Sequence, residues 1–250
     1  KTTCFLTRWM NASAVVALFV TLIQYPLAKV LDDFNDNKVT GWEKFDFGSG
    51  NGFLKVEDGQ LTIGMHQATK QPFFVAATYG SQTFTIEDGV TLEFQIDLIG
   101  ANQAEAYAAV GFIPTGTSVS QLSGYSAVKD SGDVILAKGL NKFFYDITDG
   151  EWTETPENIT LSISMTGEGE SVVMRVKVLD IENNNAVLFD QTSIDTPDAD
   201  DFQTGTDTPV APFLGKPGNF VLLLYHNDGN GSLPASNVIL DNAYASVSGA

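Results

Sequence analysis

Residues that cross-link chains, coordinate metals or carry positive charge are scarce in this sequence. It contains one cysteine, two histidines and 13 Lys or Arg residues against 31 Asp or Glu, which gives a formal net charge of −18 at pH 7. A single cysteine cannot form an intrachain disulfide, so stability must come from an apolar core or from bound ions. His66 and His226 lie far apart, and neither has a second ligand at zinc-site spacing. The negative charge argues against nucleic acid and anionic membranes as partners, because proteins that bind them are normally basic.

Long hydrophobic runs are absent, except for one short stretch near the start. Residues 12–23 are mostly apolar, and the head that precedes them carries Lys1 and Arg8. A basic head, an apolar stretch of about 7–15 residues and a small residue at the cut are typical of a secretory signal peptide. The stretch is shorter than the roughly 20 apolar residues that a membrane span needs. We therefore predict a signal peptide over residues 1–28, a single domain over 29–250, and a secreted or cell-surface protein without membrane insertion after cleavage. An uncleaved anchor helix is the alternative.

Helical periodicity is absent after this leader, and apolar residues recur with a period of two. Residues 159–165 alternate apolar and polar side chains, and so do residues 172–179, where Arg175 and Lys177 are on the polar side. Alternation indicates strands with one buried and one solvated face. The pattern predicts an all-β sandwich of about a dozen strands. Residues 166–170 are expected to form a hairpin loop, and residues 195–217 a long loop of the kind that is often functional or disordered.

Two similar segments enclose the strand pattern. Residues 31–37 read LDDFNDN, and residues 238–244 read VILDNAY. Each has an apolar lead-in, a pair of acid or amide side chains and an aromatic residue close by. We expect the first and last strands to lie side by side and to close the sandwich.

Several short motifs occur in an order that resembles a known family. They are DDFND at residues 32–36 with Gly41 and Trp42, EDGQL at 57–61, VTLEF at 90–94 and LDN at 240–242. Together they resemble the concanavalin A-like lectin/glucanase jelly roll, which includes laminin-G-like and family 16 glucanase-like domains of secreted bacterial proteins. The resemblance implies a two-sheet antiparallel sandwich, a concave face that often binds glycans, and frequently a calcium ion on the rim or back. It does not by itself imply an activity. Trp42 is expected in the core.

The strand that carries Glu93, Gln95 and Asp97 is the candidate for catalysis or ligand binding. These side chains alternate with apolar residues and therefore share one face. The resemblance implies a catalytic strand motif of the type Glu-x-Asp-x-x-Glu, but here the middle acid is an amide and no Glu follows in register. No Gly-x-Ser-x-Gly elbow or phosphate loop occurs either. We predict no catalytic residue and interpret these three residues as part of a glycan-binding surface. An ordinary solvated strand face is the alternative.

Sugar binding generally needs an aromatic platform beside hydrogen-bonding groups. The candidates are Tyr107, Tyr125, Trp152 and Tyr225, with His226 next to the last of them. We predict that Tyr107, Trp152, Tyr225 and His226 bind the ligand together with the polar strand face. Packing in the core is the competing role for each aromatic ring.

Turns rich in Asp and Asn point to calcium. DxNxN at residues 33–37 and DxNxS at residues 228–232 match the first three ligand positions of an EF-hand loop. Both then depart from it, since lysine or leucine stands where the loop needs glycine. Ordinary Asx-turns are the alternative. We predict a structural calcium site in which Asp33 and Asp241 supply carboxylates and tie the chain ends together.

Three hypotheses for function remain. The leading one is a monomeric, secreted, non-catalytic carbohydrate-binding (lectin-like) sandwich, stabilised by calcium, whose partner is a polysaccharide or glycan. The second is a glycoside hydrolase or lyase with an atypical carboxylate pair, which requires two carboxylates in a cleft beside an aromatic ring. The third is a cell-surface adhesion or structural module, which requires a flat apolar patch.

Overall fold

The computed structural model describes residues 29–47, 51–66, 73–102, 107–117, 123–129, 133–138, 149–151, 156–197, 211–226 and 237–249. These residues form sixteen β-strands and no helix, which confirms the predicted all-β class. Within them there is consequently no helix with the length and apolarity needed to cross a membrane. The predicted leader over 1–28 lies outside the described residues.

Eight strands build the first sheet, and all of its pairs are antiparallel. In spatial order they are β14 (Ala186–Asp195), β13 (Ser171–Asp180), β12 (Asn158–Glu168), β7 (Val90–Ile99), β16 (Asn237–Gly249), β4 (Gln60–Met65) and β3 (Gly52–Glu57), with β1 (Lys29–Asp32) also paired to β16. The hairpin between β12 and β13 turns at Gly169 and Glu170 alone. Its strands therefore extend into residues 166–168, which the sequence pattern had assigned to the loop.

The second sheet also has eight antiparallel strands. In order they are β11 (Asp149–Glu151), β10 (Asp133–Lys138), β9 (Tyr125–Lys129), β8 (Tyr107–Pro114), β15 (Pro217–His226), β5 (Phe73–Tyr79) and β2 (Trp42–Phe47), with β6 (Phe84–Thr85) paired to β15. Strands that are distant in sequence are neighbours in both sheets. Examples are β7 beside β16 and β8 beside β15, so the sandwich is held together by long-range pairing.

The core lies between the two sheets. Phe94 and Ile96 of β7 and Phe220 and Leu222 of β15 are fully buried, and the rings of Phe94 and Phe220 meet edge to face with centroids 4.9 Å apart. Because side chains alternate across a strand, each strand sends every second residue into this layer and the others to the outside. This two-layer core explains how a chain with one cysteine can be stable.

The first and last strands lie side by side, as expected. β1 pairs antiparallel with β16, and Val30 lies opposite Tyr244. At the end of this pairing, Asp32 lies opposite Ala243, and its carboxylate accepts hydrogen bonds from the Trp42 indole N–H and from the Phe34 backbone N–H, both at 2.8 Å. Trp42 is buried, which confirms its core position, and Phe34 is fully buried beside it. Asp32 of the opening motif therefore holds Phe34 and Trp42 in place in the core.

A buried polar cluster joins the two sheets at one end. Tyr125 and Lys138 lie opposite each other on β9 and β10 and face the core, where both donate to the carboxylate of Asp195, the last residue of β14. The Tyr125 hydroxyl also accepts the Phe213 backbone N–H at 3.1 Å. Burial raises the pKa of Tyr125, and the Asp195 charge acts in the same direction. Tyr125 is thus a core residue, and packing rather than ligand stacking accounts for its ring.

Candidate functional site

The outer face of the first sheet is polar along its central strand. On β7, Glu93, Gln95 and Asp97 are half-buried and point outward, while the residues between them are buried in the core. β12 lies on one side of β7 and β16 on the other. Outward-pointing side chains of three strands are therefore brought together on this face.

Cross-strand register arranges these side chains in rows. Gln95 lies opposite Ser162 of β12 on one side and Tyr244 of β16 on the other, and Ser162 in turn lies opposite Lys177 of β13. Opposed residues of antiparallel strands have Cβ atoms about 4.5–5.5 Å apart. A phenol ring, an amide, a hydroxyl and an ammonium group thus follow one another across the sheet.

The next row runs parallel to the first and contains Glu93. The Ser246 hydroxyl donates to the Glu93 carboxylate at 3.4 Å, and Ser164 lies between Glu93 and Arg175. The Arg175 guanidinium donates two hydrogen bonds to Asp190, which raise the pKa of Arg175 and lower the pKa of Asp190. An open groove of about 230 Å³ lies over the two rows, lined by Thr91, Glu93, Ser162, Ser164, Arg175 and Lys177.

Tyr244 and Lys177 belong to this surface, although neither is among the predicted ligand-binding residues. Tyr244 is half-buried between Val30 and Gln95. The sequence contained one usable signal, since alternation along β16 places Tyr244 on a polar face. That signal does not reveal that the polar face of β16 adjoins that of β7.

A third row contains a pair of acids at the end of the sheet where β16 begins. Asp97 lies opposite Asp241 and accepts hydrogen bonds from the Thr160 hydroxyl at 2.6 Å and the Asn242 amide at 2.9 Å. Burial raises the pKa of Asp241, and the like charges of Asp97 and Asp33 act in the same direction. The charges of Asp33 and Asp97 therefore both act on Asp241, and Asp33 and Asp241 are the two acids predicted to bind calcium.

The carboxylate spacing on β7 does not suit retaining hydrolysis. Glu93 and Asp97 are four residues apart on one strand, about 13 Å along the backbone. Retaining glycosidases hold their two carboxyl groups about 5–5.5 Å apart. The cross-strand neighbours Asp97 and Asp241 are the closer pair, and they lie at the end of the polar face rather than in the groove.

The acidic turn near the start of the chain forms Asx-turns. Asp33 accepts the Asn35 backbone N–H at 3.2 Å, and Asp36 accepts the Lys38 backbone N–H at 2.8 Å. Hydrogen bonds from Asn35 lower the pKa of Asp33, so this carboxylate stays ionised. Within the described residues, no group of three or more His, Cys, Asp or Glu side chains is arranged to hold a metal ion. The second acidic turn, at 228–232, lies outside those residues.

The outer face of the second sheet is apolar instead. Tyr107 of β8 and Tyr225 of β15 lie opposite each other with ring centroids 5.6 Å apart, next to the buried Ala109 and Leu223. Burial raises the pKa of Tyr225, and Tyr107 adds to this effect. The two tyrosines therefore form an aromatic pair on the side of the sandwich opposite Glu93.

The predicted ligand-binding residues thus divide into two groups. Glu93, Gln95 and Asp97 share the first sheet, whereas Tyr107 and Tyr225 share the second. The backbone of His226 ends β15, opposite Phe73. Trp152 lies outside the described residues.

Solved structures with the same architecture include proteins of carbohydrate biology. The carbohydrate recognition domain of Emp47p superposes with a TM-score of 0.51 at 14% identity, covering 88% of this chain and 94% of that one. The endo-1,3-beta-glucanase from Streptomyces sioyaensis superposes with a TM-score of 0.52 at 10% identity, covering 89% and 95%. No family model and no curated protein matches the sequence. The chain has the concanavalin A-like jelly-roll fold, and likeness at such low identity establishes the fold alone.

Proposed function

We propose that this protein is a secreted, non-catalytic carbohydrate-binding module whose glycan site is the outer face of the first sheet. The observation that carries the proposal is the row formed by Tyr244, Gln95 and Ser162 beside an open polar groove. A pyranose has apolar C–H faces that pack on an aromatic ring, and hydroxyls that bond to amides, hydroxyls and carboxylates. Both kinds of group are available here within one strand spacing of each other.

The structural likeness is consistent with this function. One similar structure is a carbohydrate recognition domain and the other is an endo-1,3-beta-glucanase, so both of those proteins engage carbohydrates. The predicted residues Glu93, Gln95 and Asp97 supply polar contacts in the proposal, and Tyr244 supplies the platform. Tyr107 and Tyr225 are on the opposite face and would not touch the same sugar.

Glycan binding is tested by screening the purified protein on a glycan array and measuring the best ligand by calorimetry. Burying an aromatic ring contributes about 1.5–3 kcal/mol, so Tyr244→Ala should weaken binding by about tenfold or more. Tyr244→Phe keeps the ring and should bind nearly as well. Val187→Ala, an exposed side chain of β14 outside the groove, is the control and should not change affinity. Wild-type affinity in Tyr244→Ala would place the site elsewhere.

Hydrolysis is the second candidate, because Asp97 and Asp241 are cross-strand neighbours and burial raises the pKa of Asp241, as a general acid requires. Release of reducing ends from each bound glycan distinguishes the two functions. We expect no release. If wild type releases reducing ends and Asp241→Asn binds the glycan without releasing them, the protein is a glycoside hydrolase and not a binding module.

We propose that Asp33 and Asp241 bind a structural calcium ion. Carboxylates are hard oxygen donors, and a divalent cation would offset both the burial of the Asp241 charge and the like charges of Asp97 and Asp33, which together raise the pKa of Asp241. With so few acids present, backbone or amide oxygens would have to complete the coordination.

Thermal unfolding in calcium and in EDTA tests this site. A ligand at 100 times its Kd stabilises the folded state by about 2.7 kcal/mol, which raises the Tm of a domain this size by roughly 5–10 °C. Asp33→Asn should abolish the shift, and Asp58→Asn, in an exposed turn, should preserve it. Equal Tm values in calcium and EDTA would rule out the calcium site.

Secretion, the domain limits and the monomeric state are proposed from the sequence. Expression of the full chain in a bacterial host should yield an exported monomer that begins near Lys29, measured by N-terminal sequencing and gel filtration. Full-length protein retained in the membrane fraction would indicate the uncleaved anchor instead. Absence of binding across the whole array would favour an adhesion module acting through protein contacts.

A further inference from the structure

The groove on the first sheet contains two cationic side chains in a strongly acidic protein. The net charge of the chain is −18, yet Arg175 and Lys177 both line the groove. Most cations of the described residues are matched by a partner: a carboxylate for Lys38, Lys44, Lys55, Lys138 and Arg175, a carbonyl or amide oxygen for Lys29 and Lys129, and the Phe213 ring for Lys216. Within the same part of the chain, the Lys177 ammonium has neither a hydrogen bond nor an ion pair, although the Lys177 backbone carbonyl accepts the Ser162 hydroxyl at 3.4 Å.

The surroundings of Lys177 explain why its charge is available to a ligand. The side chain is half-buried on the outer face, between Ser162 of β12 and Asp190 of β14. Asp190 is already engaged by both hydrogen bonds of the Arg175 guanidinium. The Lys177 side chain therefore lies beside Ser162 without a direct ion pair in the described residues, and its charge acts on Asp190 only at longer range.

An ammonium group next to hydroxyls is a site for an anionic oxygen attached to a hydroxyl-rich molecule. Charge-assisted hydrogen bonds are stronger and shorter than neutral ones. Across the groove, Glu93 can accept hydrogen bonds from ligand hydroxyls and repels a second anion. The groove therefore suits a ligand with one anionic group at the Lys177 side and neutral hydroxyls at the Glu93 side.

We infer that this groove selects acidic saccharides, with Lys177 holding the carboxylate or sulfate of a sugar residue. The inference rests on the proposed glycan-binding function and specifies its ligand class. The excess negative charge of the whole protein opposes polyanions at long range, but salt at about 0.15 M screens charges beyond roughly 8 Å. Selection by Lys177 should therefore be measured at that ionic strength.

The experiment compares matched polymers that differ only in charge. Calorimetry is performed with polygalacturonate and its carboxyl-reduced neutral counterpart, and with a sulfated galactan and its desulfated form. Wild type should bind at least one acidic polymer about tenfold more tightly than its neutral partner. A hydrogen bond to a charged group contributes about 1.5–3 kcal/mol, and tenfold corresponds to about 1.4 kcal/mol. The acidic polymer that is preferred identifies carboxylate or sulfate as the group recognised.

Two substitutions in the groove carry opposite expectations. Lys177→Gln should lose the preference for the acidic polymer, so that the acidic and neutral polymers bind with similar affinity. Glu93→Gln should strengthen binding of the acidic polymer, because it removes the opposing charge. Lys55→Gln is the control, since Lys55 lies on β3 outside the groove and is paired with Glu57. It should behave like wild type.

The outcomes separate this inference from the function on which it rests. Equal binding of acidic and neutral polymers, unaffected by Lys177→Gln, would overturn acidic selection while glycan binding stands. Binding of neutral glycans but of no acidic polymer would likewise overturn acidic selection and leave glycan binding standing. Absence of binding to every polymer and to the whole glycan array would refute the proposed function itself.

Discussion

Replacing Asp195 by alanine should lower the free energy of unfolding by about 3–5 kcal/mol, because it leaves a buried ammonium group without its counter-ion. The Asp195 carboxylate is fully buried and accepts hydrogen bonds from Lys138 Nζ at 2.8 Å and from the Tyr125 hydroxyl. Burial raises the pKa of Asp195 and lowers the pKa of Lys138, in each case against the effect of the partner. The pair is thus held together in surroundings that disfavour either charge alone.

The magnitude follows from what the substitution leaves behind. The Lys138 side chain is about 1% exposed, so water cannot replace the lost carboxylate. Breaking a buried ion pair by removing one partner costs about 3–5 kcal/mol, and a domain of this size loses roughly 2–4 °C in Tm per kcal/mol. We therefore expect a Tm decrease of roughly 6–20 °C, and a lower urea midpoint with an unchanged m-value.

Two further variants make the test specific. Asp190→Ala removes the carboxylate of an ion pair on the same strand, but its partner Arg175 is about half exposed, so the loss should be at most about 1 kcal/mol. The double variant Asp195→Leu with Lys138→Met should recover much of the stability lost by Asp195→Ala, since neither charge of the buried pair remains. Equal urea midpoints for Asp195→Ala and Asp190→Ala would refute the reasoning.

The remaining predictions concern single residues of the fold. The pKa of Asp241 is raised above 3.8, so the native state binds more protons than the unfolded state just above that pH and loses stability as pH rises through this range. In EDTA near neutral pH, Asp241→Asn should therefore raise the urea midpoint, and a lower midpoint would contradict the repulsion. Trp42→Phe removes the indole donor to Asp32 and should cost about 2–3 kcal/mol in urea unfolding, whereas an unchanged midpoint would show that the hydrogen bond is not needed. Gly111→Ala would place a Cβ atom onto a backbone carbonyl oxygen of β9 and should prevent folding, judged by circular dichroism. Gly80→Ala, which meets only an exposed flexible side chain, should fold normally.

The alternation of apolar and polar residues was sufficient to predict features that depend on a single strand. The alternation along β7 predicted that Glu93, Gln95 and Asp97 share an outward face, and their burial agrees. The opening motif predicted a buried Trp42 and the pairing of the first and last strands. These features are local because side-chain direction in a strand repeats every two residues.

The candidate site could not be predicted in the same way, because it depends on which strands are neighbours in the sheet. Tyr244 and Lys177 join Gln95 only because β16, β7, β12 and β13 are consecutive in the sheet, although they are far apart in sequence. Strand pairing also places Tyr107 and Tyr225 on the second sheet. They are therefore separated from the polar face of the first sheet, with which the sequence predicted they would bind one ligand. The sequence pattern predicts a loop that starts at Asp195, but Asp195 ends β14, and its burial against Lys138 depends on a partner from the opposite sheet.

The sequence was enough to predict an acidic all-β chain with alternating strands, a core position for Trp42, and first and last strands that pair. The tertiary structure was needed to show which polar faces adjoin, which of the two cationic side chains in the groove forms an ion pair, and which aspartate is buried. The physical reason is that alternation specifies the direction of each side chain relative to its own strand. Neighbours across a sheet are instead selected by how distant strands pair and how their apolar faces pack together.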